Sequence, residues 1–262
     1  MRGLVSLLVL VASIVGVSPR ATAASTSAVC PDGALPIPAG TFAIGTRSTQ
    51  EFPDNERPRH LVTLSRGYCL DRTEVTVEAY ARCVDVGRCP ARAPAFSGAT
   101  MPMTNVSWSD ARATCAFRGG RLPTEVEWEH AARGVDDRLY PWGSFRPHCG
   151  WADSMYELGG HCNGYGPSAV GSFPKGASPY GVLDLAGNVL EWVDDAYDDD
   201  AYRWLDPLDP HDDDEWAYVH VVRGGSWEYD VVHSLRSSER SGYPSTLRDA
   251  TLGFRCAYDV PP

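Results

Sequence analysis

The chain has 262 residues, of which 43% are hydrophobic, and a formal net charge of −11. This length and hydrophobic content can bury one substantial core, so we predict a single main domain. The acidic balance disfavours nucleic acid and anionic membrane surfaces as partners.

The N-terminus has the pattern of a secretory signal peptide. Arg2 precedes an almost wholly apolar run from Leu4 to Val17, and a small-residue cleavage pattern ends at Ala23. A membrane anchor is the alternative, but this run is shorter than the roughly 18 residues that span a bilayer. We therefore predict cleavage near Ala23, a secreted or periplasmic location, and no transmembrane segment in the mature chain. The predicted organisation is a signal peptide (1–23), a lead-in (24–34) and one domain (35–262).

Local signals predict three helices and several short strands, and the 25 glycines and 20 prolines indicate many turns between them. The helices follow Thr76, Ser107 and Thr124, which are suitable N-cap residues, and glycines stop the first and third. Strands are predicted at Thr41–Gly45, His60–Leu64, His220–Trp227 and Gly253–Tyr258. The first and last strand-like segments could pair and close the domain.

The eight cysteines all lie after the predicted signal peptide. An even number of cysteines in an exported chain indicates disulfides. A zinc site is the alternative, but the spacings are irregular and no Cys-X-X-Cys pair occurs.

Residues 194–215 form the most biased segment, with eleven Asp or Glu among twenty-two positions. One interpretation is a loop that binds a cation or a basic partner. The other, which we favour from sequence alone, is a solvated surface insertion, because clustered like charges usually face water. Interleaved Trp and Tyr residues indicate that the segment still packs on the domain.

Eight phrases of the sequence resemble, in register, those of the formylglycine-generating enzyme (sulfatase-modifying factor) family. The resemblance covers roughly residues 35–258. The phrases are Ile37–Gly45, Asp71–Thr76, Asn105–Ala111, Gly120–Glu129, Tyr140–Gly143, Tyr180–Trp192, Arg223–Trp227 and Leu252–Cys256. The resemblance implies an α+β fold, a loop-rich variant of the C-type-lectin fold, with calcium as an internal clamp.

The resemblance also implies particular calcium ligands. Ca²⁺ takes about 6–8 oxygen ligands, often carboxylates mixed with carbonyls. The main predicted set is Asp184, Gly187, Val189 and Glu191. A weaker second set is Gly150, Trp151, Asn163 and Tyr165, where Gly150 replaces the family's usual Asn. An ordinary turn with its acids in water is the alternative for the main set.

A family disulfide corresponds to Cys115–Cys256 in this sequence. For the other six cysteines, short-range pairing predicts Cys83–Cys89 and Cys149–Cys162, which leaves Cys30–Cys69. Six cysteines allow fifteen pairings, so this assignment stays a hypothesis.

The resemblance implies copper chemistry that this chain lacks the residues to perform. Family oxidases bind copper(I) through two cysteines soon after the Gly-Gly-Ser phrase and convert a substrate cysteine to formylglycine. Here Tyr229 stands at the first cysteine position and His233 lies near the second. Because soft thiolates select copper(I), neither a phenol nor an imidazole replaces the pair. We expect no copper site.

Other positions match the family's substrate groove. Ser226 and Arg240 fall on groove positions, Thr251 stands where the family has Asn, and His233 lies nearby. The groove could take a peptide or protein partner. The alternatives are structural: a turn hydroxyl for Ser226, and a salt bridge to Glu239 or the acidic segment for Arg240.

Two further constellations are weaker. Ser226, His233 and Asp230 could form a hydrolase triad, but no phrase of the sequence orients them. A non-copper centre built from His211, His220 and His233 stays open.

The sequence therefore favours an exported, calcium-stabilised domain that acts as a non-oxidase binding or accessory protein, including a role in maturation. The alternative is an enzyme, either a formylglycine-generating oxidase acting on a protein cysteine or a divergent oxidative maturation enzyme.

Overall fold

A computed structural model describes residues 30–47, 53–155, 160–229 and 234–260. The predicted signal peptide, Asp230 and His233 lie outside these ranges. Within them, no helix has the length and apolar character needed to cross a membrane.

The three predicted helices form, and each begins after its predicted cap. The helices are α1 (Val77–Asp85), α2 (Trp108–Phe117), α3 (Glu125–Arg133) and a short α4 (Ala201–Trp204). The Thr76 hydroxyl accepts from the Ala79 amide. Ser107 and Thr124 each begin a reciprocal capping box with an acid three residues later.

Within the described ranges, nine short strands form three sheets. They are β1 (Ala34–Ile37), β2 (Gly40–Ile44), β3 (His60–Leu64), β4 (Tyr68–Asp71), β5 (Leu190–Ala196), β6 (Val219–Arg223), β7 (Arg240–Pro244), β8 (Leu252–Phe254) and β9 (Ala257–Asp259). The sheet orders are β1-β4-β9, β2-β3 and β7-β6-β5-β8. The first and last strands do not pair directly, because β4 lies between β1 and β9.

Two predicted strands differ from the observed ones. The strand predicted to reach Trp227 ends at Arg223, because Gly224 and Gly225 have φ angles of 95° and 70°. The strand predicted over Gly253–Tyr258 is divided into β8 and β9, which join different sheets.

The four-stranded sheet separates two apolar clusters. Successive residues of β5 and β6 face opposite sides: Trp192 and Val222 join one cluster, and Val193 and Val221 the other. Helix α2 contributes to the first cluster and α3 to the second. Strand β6 lies next to the edge strand β7 of this sheet. It ends at Arg223, and the turn formed by Gly224 and Gly225 begins there.

Four disulfides tie the loops to this framework, and they are the pairs expected from the sequence. They are Cys30–Cys69, Cys83–Cys89, Cys115–Cys256 and Cys149–Cys162. Cys115–Cys256 closes the longest loop, with a sequence separation of 141, and joins α2 to the segment between β8 and β9.

Candidate functional site

The turn after β6 positions Tyr229. A Cβ at Gly225 would lie 2.5 Å from the Ser234 carbonyl, so the close approach of these two segments requires glycine. The Tyr229 hydroxyl lies 2.7 Å from the hydroxyl of Tyr243 on β7. Burial and the hydrogen bond from Tyr229 raise the pKa of Tyr243. Tyr229, which the resemblance leads us to expect at the first copper-cysteine position, is therefore half of a tyrosine pair.

No thiol is available elsewhere in the chain. All eight cysteines lie within the described residues, and each is in a disulfide. The structure therefore offers no cysteine thiolate, which is the ligand that copper(I) prefers.

Ser226 and Thr251 are buried and have structural partners. Ser226 Oγ accepts from the Glu228 amide at 3.3 Å, and its side chain is inaccessible to solvent. Thr251 Oγ1 donates to Asp249 Oδ1 at 2.6 Å. Both side chains are therefore buried and hydrogen-bonded within the fold, which favours the turn-hydroxyl alternative for Ser226.

Arg240 is also buried, and its partner is Glu125 on α3 rather than Glu239. Its Nε and Nη2 atoms donate to the two carboxylate oxygens of Glu125 at 2.7 and 2.9 Å. The guanidinium carbon lies 4.8 and 4.7 Å from the ring centroids of Tyr197 and Tyr202. These contacts satisfy the Arg240 guanidinium without a ligand. They favour a structural salt bridge for Arg240 over a role in a substrate groove.

The predicted main calcium loop is a tight turn against Asp153. Asp184, Gly187 and Asn188 all have positive φ angles of 59°, 78° and 61°. A Cβ at Gly187 would lie 2.1 Å from the Asp153 carbonyl oxygen, so only glycine fits there. Asp184 Oδ2 accepts from the Gly171 amide at 2.6 Å.

Glu191 already has two strong partners. Arg255 donates to both of its carboxylate oxygens, at 2.7 and 2.6 Å, and Trp128 Nε1 donates at 2.8 Å. In the described part of the chain, no group of three or more His, Cys, Asp or Glu side chains is arranged to hold a metal. Calcium in this loop would therefore depend on backbone carbonyls as well as carboxylates.

The residue that sequence reasoning missed is Asn188, which joins two buried acids. Its Nδ2 donates to Glu74 Oε1 at 2.9 Å, and its Oδ1 accepts from the Ser168 amide at 2.9 Å. Its backbone amide donates to the Asp153 carbonyl at 2.9 Å. The signal in the sequence was an Asn after Gly in a turn, a residue that tolerates a positive φ.

Two buried acids near this turn each have one carboxyl oxygen without a hydrogen-bond partner. Glu74 Oε2 and Asp153 Oδ1 are enclosed and accept no hydrogen bond. Burial, and then the charge of Asp184, raises the pKa of Glu74; burial also raises the pKa of Asp184 and Asp153. Enclosed acceptors beside a turn of this kind suit a hard cation.

The second predicted calcium set lies at the surface, in the segment held by Cys149–Cys162. Gly150, Asn163 and Tyr165 are exposed, while Trp151 is half-buried and its ring contacts that of His148 at 4.1 Å. The Gly150 amide donates to His148 Nδ1 at 2.9 Å. None of these contacts assembles an enclosed set of oxygen ligands.

An aromatic surface adjoins Tyr229, and we define it by Phe96, His161, Tyr165 and Trp227. The rings of Phe96 and His161 lie 5.8 and 5.6 Å from that of Trp227. Tyr165 is 86% exposed and contacts His161 at 4.7 Å between centroids. Trp227 Nε1 is enclosed and has no hydrogen-bond partner.

The histidines proposed for a non-copper centre have other environments. His211 Nε2 lies 3.2 Å from Asp194 Oδ2. His220 is buried, and its ring stacks on Trp108 at 3.9 Å. His211 and His220 therefore contact different residues, and neither belongs to a group of metal-binding side chains in the described ranges. His233 lies outside those ranges.

Fold and site together define the class of protein. The loop-rich α+β domain is the formylglycine-generating-enzyme variant of the C-type-lectin fold. The model of the sulfatase-modifying factor enzyme 1-like domain matches residues 20–260, and the chain belongs to this family.

Relatives include proteins described as active and as inactive. The chain is 39% identical over 165 residues to the inactive C-alpha-formylglycine-generating enzyme 2 of Bos taurus, covering 60% of this chain and 50% of that relative. It is 30% identical to the formylglycine-generating enzyme of Streptomyces coelicolor, covering 87% and 90%. The chain thus spans about half the length of its bovine relative and most of the bacterial one.

A solved structure agrees over nearly the whole domain. PvdO from Pseudomonas aeruginosa superposes with a TM-score of 0.71 at 26% identity, covering 87% of this chain and 94% of that one. The similarity therefore includes the loop-rich connections as well as the sheets.

Proposed function

We propose that this protein is an exported, non-oxidase member of its family that acts as a binding or accessory protein, including in maturation. The observation that carries the proposal is Tyr229, which stands at the position expected for the first copper-binding cysteine and pairs with Tyr243. With every cysteine in a disulfide, the chain supplies no thiolate for copper(I). The four disulfides fit an oxidising compartment outside the cytoplasm.

The aromatic surface beside the tyrosine pair is the place where a peptide partner would bind. Aromatic side chains dominate the energetics of many interfaces, and Tyr165 is already exposed. The enclosed Trp227 Nε1 leaves a donor without an acceptor close to this surface. The relative from Bos taurus, whose name describes it as inactive, is consistent with retention of the fold without the oxidase reaction.

The test is copper(I) binding and oxidase activity of the chain from Ala24 with its disulfides intact. We expect no stoichiometric copper(I) in anaerobic competition against a chromogenic chelator. We also expect no oxygen-dependent conversion of a cysteine peptide, measured by mass spectrometry. The formylglycine-generating enzyme of Streptomyces coelicolor is the positive control.

The double variant Tyr229→Cys/His233→Cys tests whether these positions correspond to the copper cysteines. It should gain copper(I) if the surrounding segment is otherwise intact, whereas Tyr229→Ser/His233→Ser should not. Stoichiometric copper(I) in the unaltered chain together with peptide conversion would establish the alternative, a formylglycine-generating oxidase.

We propose further that calcium stabilises the turn around Asp184. Asp184 and the carbonyls of Gly187 and Val189 would hold the ion. Glu191 would contribute only through lone pairs left over from Arg255 and Trp128, since a carboxylate has about four acceptor sites. The enclosed, unpartnered oxygens of nearby Glu74 and Asp153 support a cation at this turn.

Calcium binding should raise the unfolding temperature, because a ligand that binds only the folded state stabilises it by mass action. At a hundredfold excess over the dissociation constant, the gain is about 2.7 kcal/mol. Asp184→Asn should remove most of this gain, since Asn tolerates the positive φ but lacks the charge. Asp199→Asn, in the exposed acidic segment, is the matched control. Equal thermal shifts with Ca²⁺ and Mg²⁺, unchanged by Asp184→Asn, would exclude this site.

A further inference from the structure

The acidic segment forms one wall of a cleft of about 510 Å³ on the side of α2. Two tryptophans line it: Trp108 belongs to α2, and Trp216 follows the acidic run. Four acids and two basic residues complete the lining, namely Asp194, Asp213, Asp214, Glu215, Arg112 and His211. Acids and flat aromatic faces in one cleft are suited to cationic groups.

The cleft already holds one guanidinium of the protein itself. Arg112 pairs with Glu215 at 2.5 Å, and its guanidinium carbon lies 5.1 Å from the Trp108 ring centroid. This internal contact demonstrates that the tryptophan face and the carboxylates accommodate a planar cation. It neutralises one of the four acids.

The remaining charge favours a second cation. His211 pairs with Asp194, and that hydrogen bond raises the pKa of His211. Asp213 and Asp214 are exposed, and no basic residue pairs with either of them within the described part of the chain. Asp214 Oδ1 accepts from the backbone amide of Trp216 at 3.0 Å, and Trp216 is 87% exposed.

A buried histidine without hydrogen-bond partners stacks on Trp108, one of the residues that line the cleft. His220 is inaccessible to solvent, and neither ring nitrogen has a hydrogen-bond partner. Its ring stacks on the cleft residue Trp108, and the charges acting on it include those of Asp194, Asp214 and Arg112 from the cleft lining. Burial lowers the pKa of His220 below that of a free imidazole.

We propose that this cleft binds the guanidinium or ammonium side chains of a basic peptide segment in a partner protein. A peptide fits better than a bare metal ion, because the described residues contain no group of three or more His, Cys, Asp or Glu placed to hold a metal. The exposed rings of Trp216 and nearby Tyr218 extend the surface beyond the cleft, so an extended ligand finds further contacts.

Isothermal titration calorimetry with a blocked tetra-arginine peptide tests the proposal on the chain from Ala24. We expect saturable binding with one peptide per chain at low salt. A blocked tetra-citrulline peptide has nearly the same shape without the charge and should bind at least tenfold more weakly. Equal binding of the two peptides, or no saturable binding of tetra-arginine, would overturn the proposal.

Matched variants distinguish the cleft from diffuse charge attraction. Asp213→Asn/Asp214→Asn should weaken tetra-arginine binding about tenfold. Trp216→Ala should weaken it about threefold or more by removing the exposed ring. The control Asp199→Asn/Asp206→Asn removes the same charge from the same segment outside the cleft, and we expect less than a twofold change. An equal loss in the control and the cleft variants would show diffuse attraction only and would overturn the assignment, whatever the copper experiment shows.

Discussion

Charged residues behave differently in two regions of this molecule. In the arginine–glutamate core, defined as Glu125, Glu129, Arg223 and Arg240, opposite charges are buried and paired: Arg223 Nη2 lies 2.5 Å from Glu129, and Arg240 binds Glu125. In the acidic cleft, like charges are exposed, and two carboxylates have no cationic partner within the described residues. The first arrangement satisfies itself, whereas the second leaves charge available to a ligand.

The types of residue present do not by themselves distinguish a structural charge cluster from a binding site. Both regions contain aromatic rings next to charges, and both have a guanidinium over a ring. Burial decides how much stability a charge pair contributes, because removing one partner of a buried pair leaves an uncompensated charge in a low dielectric. At the surface, water and salt screen the same loss.

The largest effect is expected from Arg240→Ala. This change leaves the Glu125 carboxylate buried without its bidentate partner and removes the cation from between Tyr197 and Tyr202. We expect the free energy of unfolding in urea to fall by about 3–5 kcal/mol.

The matched control is Arg203→Ala, which breaks an exposed pair with Asp200. Its cost should stay below about 1 kcal/mol. Comparable losses for Arg203→Ala and Arg240→Ala would contradict the distinction between the two regions.

A smaller change in stability is expected at Glu239, which lies beside the arginine–glutamate core. Its Oε2 atom has no hydrogen-bond partner. Burial raises the pKa of Glu239 to about 7, against about 4.3 for an unfolded Glu. Between these values the folded state holds a proton that the unfolded state releases. The contribution of this group to stability is therefore complete below about pH 4 and is lost as the pH rises to about 7.

Glu239→Gln should remove that pH dependence. Relative to the unaltered protein, the variant should gain about 1–3 kcal/mol between pH 4 and pH 8, measured by urea unfolding at each pH. Glu78→Gln, on the exposed face of α1, is the control and should show no such trend. A parallel pH profile for Glu239→Gln and the unaltered protein would mean that Glu239 titrates normally.

The smallest effect concerns the acidic cleft. Asp213→Asn/Asp214→Asn relieves repulsion between exposed like charges, so we expect stability to rise by no more than about 0.5 kcal/mol. The gain should disappear at about 1 M salt, where the Debye length is roughly 3 Å. A loss of more than 1 kcal/mol in thermal unfolding would show that these acids serve the fold.

Local features of this fold could be predicted because their causes lie within a few residues. Thr76, Ser107 and Thr124 each cap the helix that follows, through contacts spanning three residues. The strand that contains His220 was predicted too long. Its end depends on a glycine pair whose tight turn is set by contact with Ser234, outside the strand itself.

Site roles were harder to predict, because they depend on distant partners. Arg240 matched a groove position, yet its partner Glu125 lies 115 residues away and was not considered. Asn188 was missed because its importance comes from Glu74, 114 residues away. The acidic segment looked like a solvated insertion because its cleft exists only where the chain folds back against Trp108.

The anchoring of the acidic segment has a consequence for the entropy of binding. Arg240 donates to the Asp198 carbonyl at 2.8 Å, and the Asp195 carboxylate accepts from the amides of Glu125 and Asp212 at 2.6 and 3.1 Å. The first stem of the segment is thus fixed to the start of α3, and Asp195 ties the second stem to the first. Ordering a free loop costs about 1–2 kcal/mol of backbone conformational entropy per residue. In this protein the segment is already ordered by folding, so ligand binding does not have to order it. A ligand that enters the cleft meets a preorganised surface and keeps more of its contact energy as affinity.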